Sequence, residues 1–176
     1  MKKILSVVLV SVLLFSCSEK EIKRYHIDDI VCPNETFEEE EYKCFLKFNM
    51  NPVNGIVIDT NDYGDTTEYI NFKNGILDGV YIIRNKKYTF TKNDNGIYIL
   101  TNWKNGKKDG IEQVRYDYYG KENISYETHW KNGKKDGVEK QWYLDGQLKS
   151  QSKYDNDNLI FQKCWDENGN EIECEE

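Results

Sequence analysis

Trp103-Lys104-Asn105-Gly106-Lys107-Lys108-Asp109-Gly110 returns letter for letter as Trp130-Lys131-Asn132-Gly133-Lys134-Lys135-Asp136-Gly137, 27 residues further on. A looser copy lies upstream at Phe72-Lys73-Asn74-Gly75-Ile76-Leu77-Asp78-Gly79, and a decayed one downstream at Tyr154-Asp155-Asn156-Asp157-Asn158-Leu159-Ile160. Successive copies start 31, 27 and 24 residues apart. Such a period marks a repeat architecture, in which each unit buries its face against its neighbours.

One unit reads in detail. Ile124, Tyr126, Thr128 and Trp130 alternate and are expected on one face of a strand. Asn132-Gly133 supplies a two-residue turn whose central residues both take positive φ. Asp136-Gly137 reads as a second glycine corner. Val138, Lys140 and Trp142 share the next face with Tyr143 opposite, Asp145-Gly146 turns the chain, and Leu148, Ser150, Ser152 and Tyr154 line the following strand. The unit is therefore a hairpin of roughly 23–27 residues, and a lone hairpin is marginal in water without neighbours.

The expected fold over residues 55–176 is all-β: stacked antiparallel β-hairpin repeats in one extended, twisted sheet. Its turn residues are Asn74, Gly75 and Gly79, then Asn105, Gly106 and Gly110, then Asn132, Gly133 and Gly137, with Gly146 and Gly169 further on. Its aromatic positions are Phe72, Trp103, Trp130, Trp142, Tyr143, Tyr154 and Trp165, drawn from a chain with 13 Tyr, 7 Phe and 4 Trp.

Residues 1–16 read as a processing segment. Lys2 and Lys3 precede the apolar run Ile4 to Phe15, which is too short to span a bilayer. The ending Leu14-Phe15-Ser16-Cys17 resembles a bacterial lipoprotein signal. The resemblance implies cleavage before Cys17, acylation of that cysteine and residence in the cell envelope, with the outer membrane favoured. Residues 17–30, polar and charged, are expected to act as a lipidated tether. Residues 31–54, with the alternation Cys44, Leu46, Phe48, read as an N-terminal cap or leading hairpin.

Four further cysteines, an even number in an exported chain, point to disulfides. Cys32–Cys44 and Cys164–Cys174 are preferred because each pair is close in sequence, the second flanking the turn signal Asp166-Glu167-Asn168-Gly169 and capping the array with Trp165. A zinc site is disfavoured, since Cys-x-x-Cys spacing and a nearby histidine are both lacking.

The units at 103–110 and 130–137, followed by Gln141-Trp142-Tyr143-Leu144-Asp145-Gly146-Gln147-Leu148-Lys149-Ser150, resemble the bacterial MORN-repeat variant often labelled as a YwqK-type antitoxin of toxin–antitoxin systems. The likeness is strongest over residues 103–161. It implies a rod of stacked hairpins that works as a scaffold; the antitoxin label adds an immunity role.

Chemistry is sparse. Removing residues 1–16 leaves 22 basic against 31 acidic residues, net −9, with no basic stripe for nucleic acid. The run Glu38-Glu39-Glu40-Glu41 reads as a solvated loop or a face for a basic partner. His129 aligns with Asn102 in the earlier copy and so reads as a variable position; the periodic Asp109 and Asp136 are ascribed to turn chemistry. No catalytic residue, metal site or cofactor is expected. The expected activity is that of a monomeric, membrane-anchored protein-binding scaffold with an unidentified protein partner, which the acidic balance suggests is basic. An immunity lipoprotein that neutralises a toxin is the alternative, and a carboxylate-dependent glycan hydrolase the lesser one.

Overall fold

Asn74, Asn105 and Asn132 take φ of 53°, 50° and 52°, and Gly75, Gly106 and Gly133 follow at 79°, 78° and 83°. These are the paired positive values of a type I′ turn, whose twist matches that of the strands it joins. The decayed copy keeps the same turn at Asn156 and Asp157, with φ of 49° and 70°. The computed structural model describes residues 22–32, 43–62, 64–85, 96–118 and 121–174. Residues 1–16, read from sequence as a processing segment, together with Cys17 and the Glu38–Glu41 run, lie outside the described residues.

The strands are β1 (Arg24–His26), β2 (Ile30–Val31), β3 (Phe45–Leu46), β4 (Gly55–Thr60), β5 (Thr66–Lys73), β6 (Ile76–Asn85) and β7 (Gly96–Lys104). They continue as β8 (Lys107–Tyr118), β9 (Lys121–Lys131), β10 (Lys134–Trp142), β11 (Leu148–Asp155), β12 (Asn158–Trp165) and β13 (Glu171–Ile172). β1 and β4–β13 form one 11-stranded sheet in the order β1-β4-β5-β6-β7-β8-β9-β10-β11-β12-β13. The sheet is open, and every pairing from β4 onward is antiparallel. From β4 onward each strand joins its sequence neighbour, as stacked hairpins require.

The four type I′ turns share one edge. The opposite edge carries a second repeated closure: Asn61, Tyr143 and Asp166 each accept the N–H three residues on and donate to the carbonyl four residues on. Gly64, Gly146 and Gly169 serve these loops at positive φ.

The tether expected to run to residue 30 is shorter. Arg24–His26 add a parallel strand against Ile56, Val57 and Ile58. Tyr25, Ile27 and Ile30 pack into the core, and the charged residues between them hid that pattern. The cap is also a separate layer: β2 and β3 form their own two-stranded sheet. Its residues Ile30, Cys44 and Leu46 close over Val57, Ile70, Phe72 and Leu77, with Tyr81 and Trp103 at the margin. Burial of this set supplies the main hydrophobic core. Phe48 departs from the expected alternation and stands 72% exposed, because β3 ends at Leu46 and residues 47–49 turn. Cys32–Cys44 holds the cap and Cys164–Cys174 holds β13, as the sequence spacing suggested.

Candidate interaction face

Asp78-Gly79, Asp109-Gly110 and Asp136-Gly137 were expected at corners; they lie inside strands. In β7/β8, Thr101 pairs with Glu112 and Trp103 with Lys108, so Asp109, Gly110 and Ile111 oppose Asn102 alone. The same three-against-one bulge sets Asp78, Gly79 and Val80 against Asn71, and Asp136, Gly137 and Val138 against His129. The lone residue plugs the bulge. Asn71 donates Nδ2–H to Val80 O at 2.8 Å, Asn102 to Ile111 O at 2.6 Å, and His129 Nδ1 lies 2.8 Å from Val138 O. A carbonyl only accepts, so the neutral His129 ring carries its proton on Nδ1. The position reserved as variable is therefore fixed by one requirement, a side-chain donor at that height.

Glycine is obligatory here for two reasons. Gly110 and Gly137 take φ of 111° and 120°, and a Cβ at either would stand 3.1 or 3.0 Å from the Cβ of Asn102 or His129. Both backbone strain and collision oppose any side chain.

The aspartates of the bulge tie one hairpin to the next. Asp78 Oδ2 accepts the N–H of Asn105 at 3.2 Å, and Asp109 Oδ2 that of Asn132 at 3.1 Å. Beside these, Gly106 N–H donates to Leu77 O and Gly133 N–H to Lys108 O. Each turn thus docks on the bulge of the hairpin before it. In the last copy Asp157 accepts from Lys135 N–H and donates its own to Lys135 O, which keeps the stack going without glycine.

The bulge also sets the inner face. Positions i and i+4 of β8 and β10 share a side at a period of two, and the two extra residues of the bulge bring them into adjacent places on it. Lys108 reaches Glu112 at 2.9 Å, and Lys135 reaches Glu139. The aromatic residue of the next hairpin covers each pair: Lys108 Nζ sits 4.6 Å from the Trp130 ring centre, and Lys135 Nζ 4.8 Å from that of Tyr154. Trp130 Nε1–H donates to Glu112 at 2.7 Å, and the Tyr126 hydroxyl to Glu139 at 2.7 Å. Burial, reinforced by the Glu139 hydrogen bond, raises the Tyr126 phenol well above its usual range. A partly buried ion pair adds little net stability, but it leaves a costly orphan if one partner is lost.

One row of paired residues runs along this face: Tyr25, Val57, Ile70, Tyr81, Thr101, Glu112, Thr128, Glu139, Ser152 and Gln162. It changes character midway, from the apolar core beneath the cap to carboxylates, hydroxyls and an amide. Tyr81 occupies the step that Glu112 and Glu139 occupy later, two residues after the bulge glycine. Trp103 Nε1, equivalent to Trp130 Nε1, is accordingly buried without an acceptor.

Phe72, Trp103, Trp130 and Tyr154 share the inner face as expected from their spacing. Trp142 pairs with Leu148 on the other face, while the Tyr143 hydroxyl donates to Trp165 O at 2.8 Å on the loop edge. Two facial assignments need correction. The strand slips by one residue at Ser125, so Ile124 pairs with Arg115 and leaves the side of Tyr126. A slip at Lys149 likewise separates Leu148 from Ser150. On the outer face Arg84 and Arg115 lie 5.4 and 5.8 Å from the Tyr98 ring centre.

Near the loop edge, Glu68 lies across from Asp59. Burial, and then the Asp59 charge, hold its carboxyl above the usual range, against the weak pull of the Tyr81 hydroxyl. Thr66, Thr67, Glu68, Tyr69, Ile82 and Arg84 line an open hollow there. Among the described residues no group of three or more His, Cys, Asp or Glu is placed to hold a metal, and no helix is long and apolar enough to cross a membrane. Comparison with known protein families, curated proteins and solved structures returns no match to this chain.

Proposed function

We propose that the chain is a protein-binding scaffold of the bacterial envelope, held to its membrane by a lipid on Cys17. One observation carries the reading: the cap covers the inner face only as far as Trp103. Beyond it, β8–β12 carry a regular succession of lysine, glutamate and aromatic side chains with no second layer among the described residues. The lysines and glutamates there are paired with each other, Thr128 Oγ1 is buried without a hydrogen-bond partner, and among the described residues no nucleophile stands poised against a base, which favours contact over chemistry. A broad ordered face with polar and aromatic character suits a protein partner. The resemblance to MORN-variant arrays supports the same use.

Capture from the envelope tests this. The intact lipidated chain is expected to retain a partner that a chain lacking residues 105–131 loses; recovery of the same partners by both would contradict the reading. Cys17→Ala is expected to abolish labelling by a palmitate analogue, and persistent labelling would remove the anchor.

The charge favours a narrower second reading. At net −9 after processing, the chain suits a basic partner, since complementary charge speeds encounter. An immunity role against a basic toxin predicts that cells without this protein die beside toxin-producing siblings. Survival of such cells would exclude that role and leave the scaffold reading standing.

A further inference from the structure

The C-terminal end of the sheet is unfinished. β12 pairs with β11 along its length, but on its other side β13 meets only Cys164 and Trp165. Residues 158–163 therefore present an edge with no strand partner among the described residues. The disulfide-bonded hairpin, expected to cap the array, covers two residues of this strand.

The edge is apolar. Leu159, Ile160 and Phe161 are 52%, 58% and 40% exposed. Edge strands are ordinarily blunted by an inward lysine, a proline or a covering loop. Asn158-Leu159-Ile160-Phe161-Gln162 contains no charge and no proline. Lys163, the next residue, is engaged by Glu171 at 3.1 Å. A bulge at Ile160 twists the edge and shortens the stretch that a neighbour can follow.

We infer that this edge is a homodimer contact, in which β12 of one chain pairs antiparallel with β12 of a second copy. Three features select that occupant. Every addition to the array from β4 onward is antiparallel, and a twofold axis normal to the sheet supplies an antiparallel strand automatically. The same operation lays the stretch Leu159–Phe161 of one copy alongside the same stretch of the other in reverse order, so that apolar residues adjoin apolar residues across the seam. The charge is also compatible: an acidic chain would repel its copy over most surfaces, yet this contact brings together two uncharged stretches, Asn158–Gln162 of each copy.

The contact is small. A strand of this length buries less than the ~1,200 Å² of a standard interface, so association in the range of about 10–100 µM is expected. Tethering on a membrane would raise the local concentration and favour the dimer. The inference stands apart from the scaffold reading; dimerisation would double the presented faces whatever they bind.

Photo-crosslinking in the intact chain tests it. Two differently tagged copies are produced together, each with a photo-reactive residue at position 160 or, as control, at Leu144, which is 68% exposed but lies off the edge. A mixed-tag adduct at twice the chain mass is expected from position 160, absent from position 144, and lost when Phe161→Lys is added. Near-UV circular dichroism matching the parent shows that Phe161→Lys still folds. Sedimentation of the purified chain is expected to show a reversible monomer–dimer equilibrium that Ile160→Lys shifts at least tenfold towards monomer. A chain that stays monomeric at several hundred micromolar, equal adducts at both positions, adducts with another protein only, or open-ended polymers would overturn the inference.

Discussion

Trp130 gives its indole N–H to Glu112 at 2.7 Å, and Glu112 stands two residues beyond the bulge glycine, Gly110, that Trp130 itself faces. The preceding hairpin repeats this geometry without its acceptor. Trp103 faces Gly79, but Tyr81 fills the carboxylate's place and the Trp103 indole N–H is unpaired. Replacing each tryptophan by phenylalanine should therefore have unequal effects. Trp130→Phe leaves Glu112, with 14% side-chain exposure, short of a donor, whereas Trp103→Phe removes an unsatisfied group. Trp130→Phe is expected to cost about 1–2 kcal/mol more than Trp103→Phe in urea unfolding. Equal costs would mean that the indole bond contributes nothing.

The bulge plug makes a second prediction. His129→Asn should be nearly neutral, because Asn71 and Asn102 already do this work, while His129→Leu orphans Val138 O and should cost about 1–3 kcal/mol. Gly137→Ala should cost at least as much, from strain at φ 120° and crowding against His129. Thermal melts of the three variants check the order.

Glu68 predicts a pH dependence with a definite sign. Its folded carboxyl lies above the unfolded value, so the native state holds the proton more tightly. The stabilising contribution is complete below the unfolded pKa of roughly 4.3 and disappears as pH rises through the folded value. Glu68→Gln should raise the melting temperature at pH 7 and leave it unchanged near pH 3. A gain that persists at low pH would show that ionisation is not the cause.

The two disulfides should differ in reach. Cys44 is fully buried in the core under the cap, whereas Cys164–Cys174 fastens only the two-residue β13. Removing Cys32–Cys44 by paired alanines should lower global stability by about 3 kcal/mol, as expected for a short closed loop. Removing Cys164–Cys174 should free the β13 amides to exchange while β5–β9 keep their protection.

The turns and the bulges differed in how legible they were. Asn-Gly between alternating strands has one cheap backbone solution, so Asn74, Asn105 and Asn132 declared their turns locally. Asp-Gly does not: Gly79, Gly110 and Gly137 need positive φ in a corner and in a bulge alike. Only the strand opposite decides, by offering one residue against three. The same register change hid the Lys108–Glu112 and Lys135–Glu139 pairs, because a spacing of four with a regular period of two gives no hint of an inserted bulge. His129 looked variable for the reason that a histidine and an asparagine share no shape, only a donor. The slips at Ser125 and Lys149 likewise defeat alternation, and the parallel addition of β1 depends on a strand 32 residues away, Arg24 against Ile56 to begin with.

The central claim is that the hairpins are interchangeable units, each docked by its turn on the bulge before it. Deleting Asn105–Lys131 joins Lys104 to Asn132, rebuilds one turn from identical flanks and offers Asn132 N–H to Asp78 in place of Asn105. Small-angle scattering and urea unfolding of this chain beside the parent are decisive. Loss of two strands should shorten the longest dimension by about 10 Å, at a strand spacing of about 4.8 Å, with a single cooperative transition retained. An unchanged dimension, or a chain that no longer unfolds cooperatively, would contradict the account.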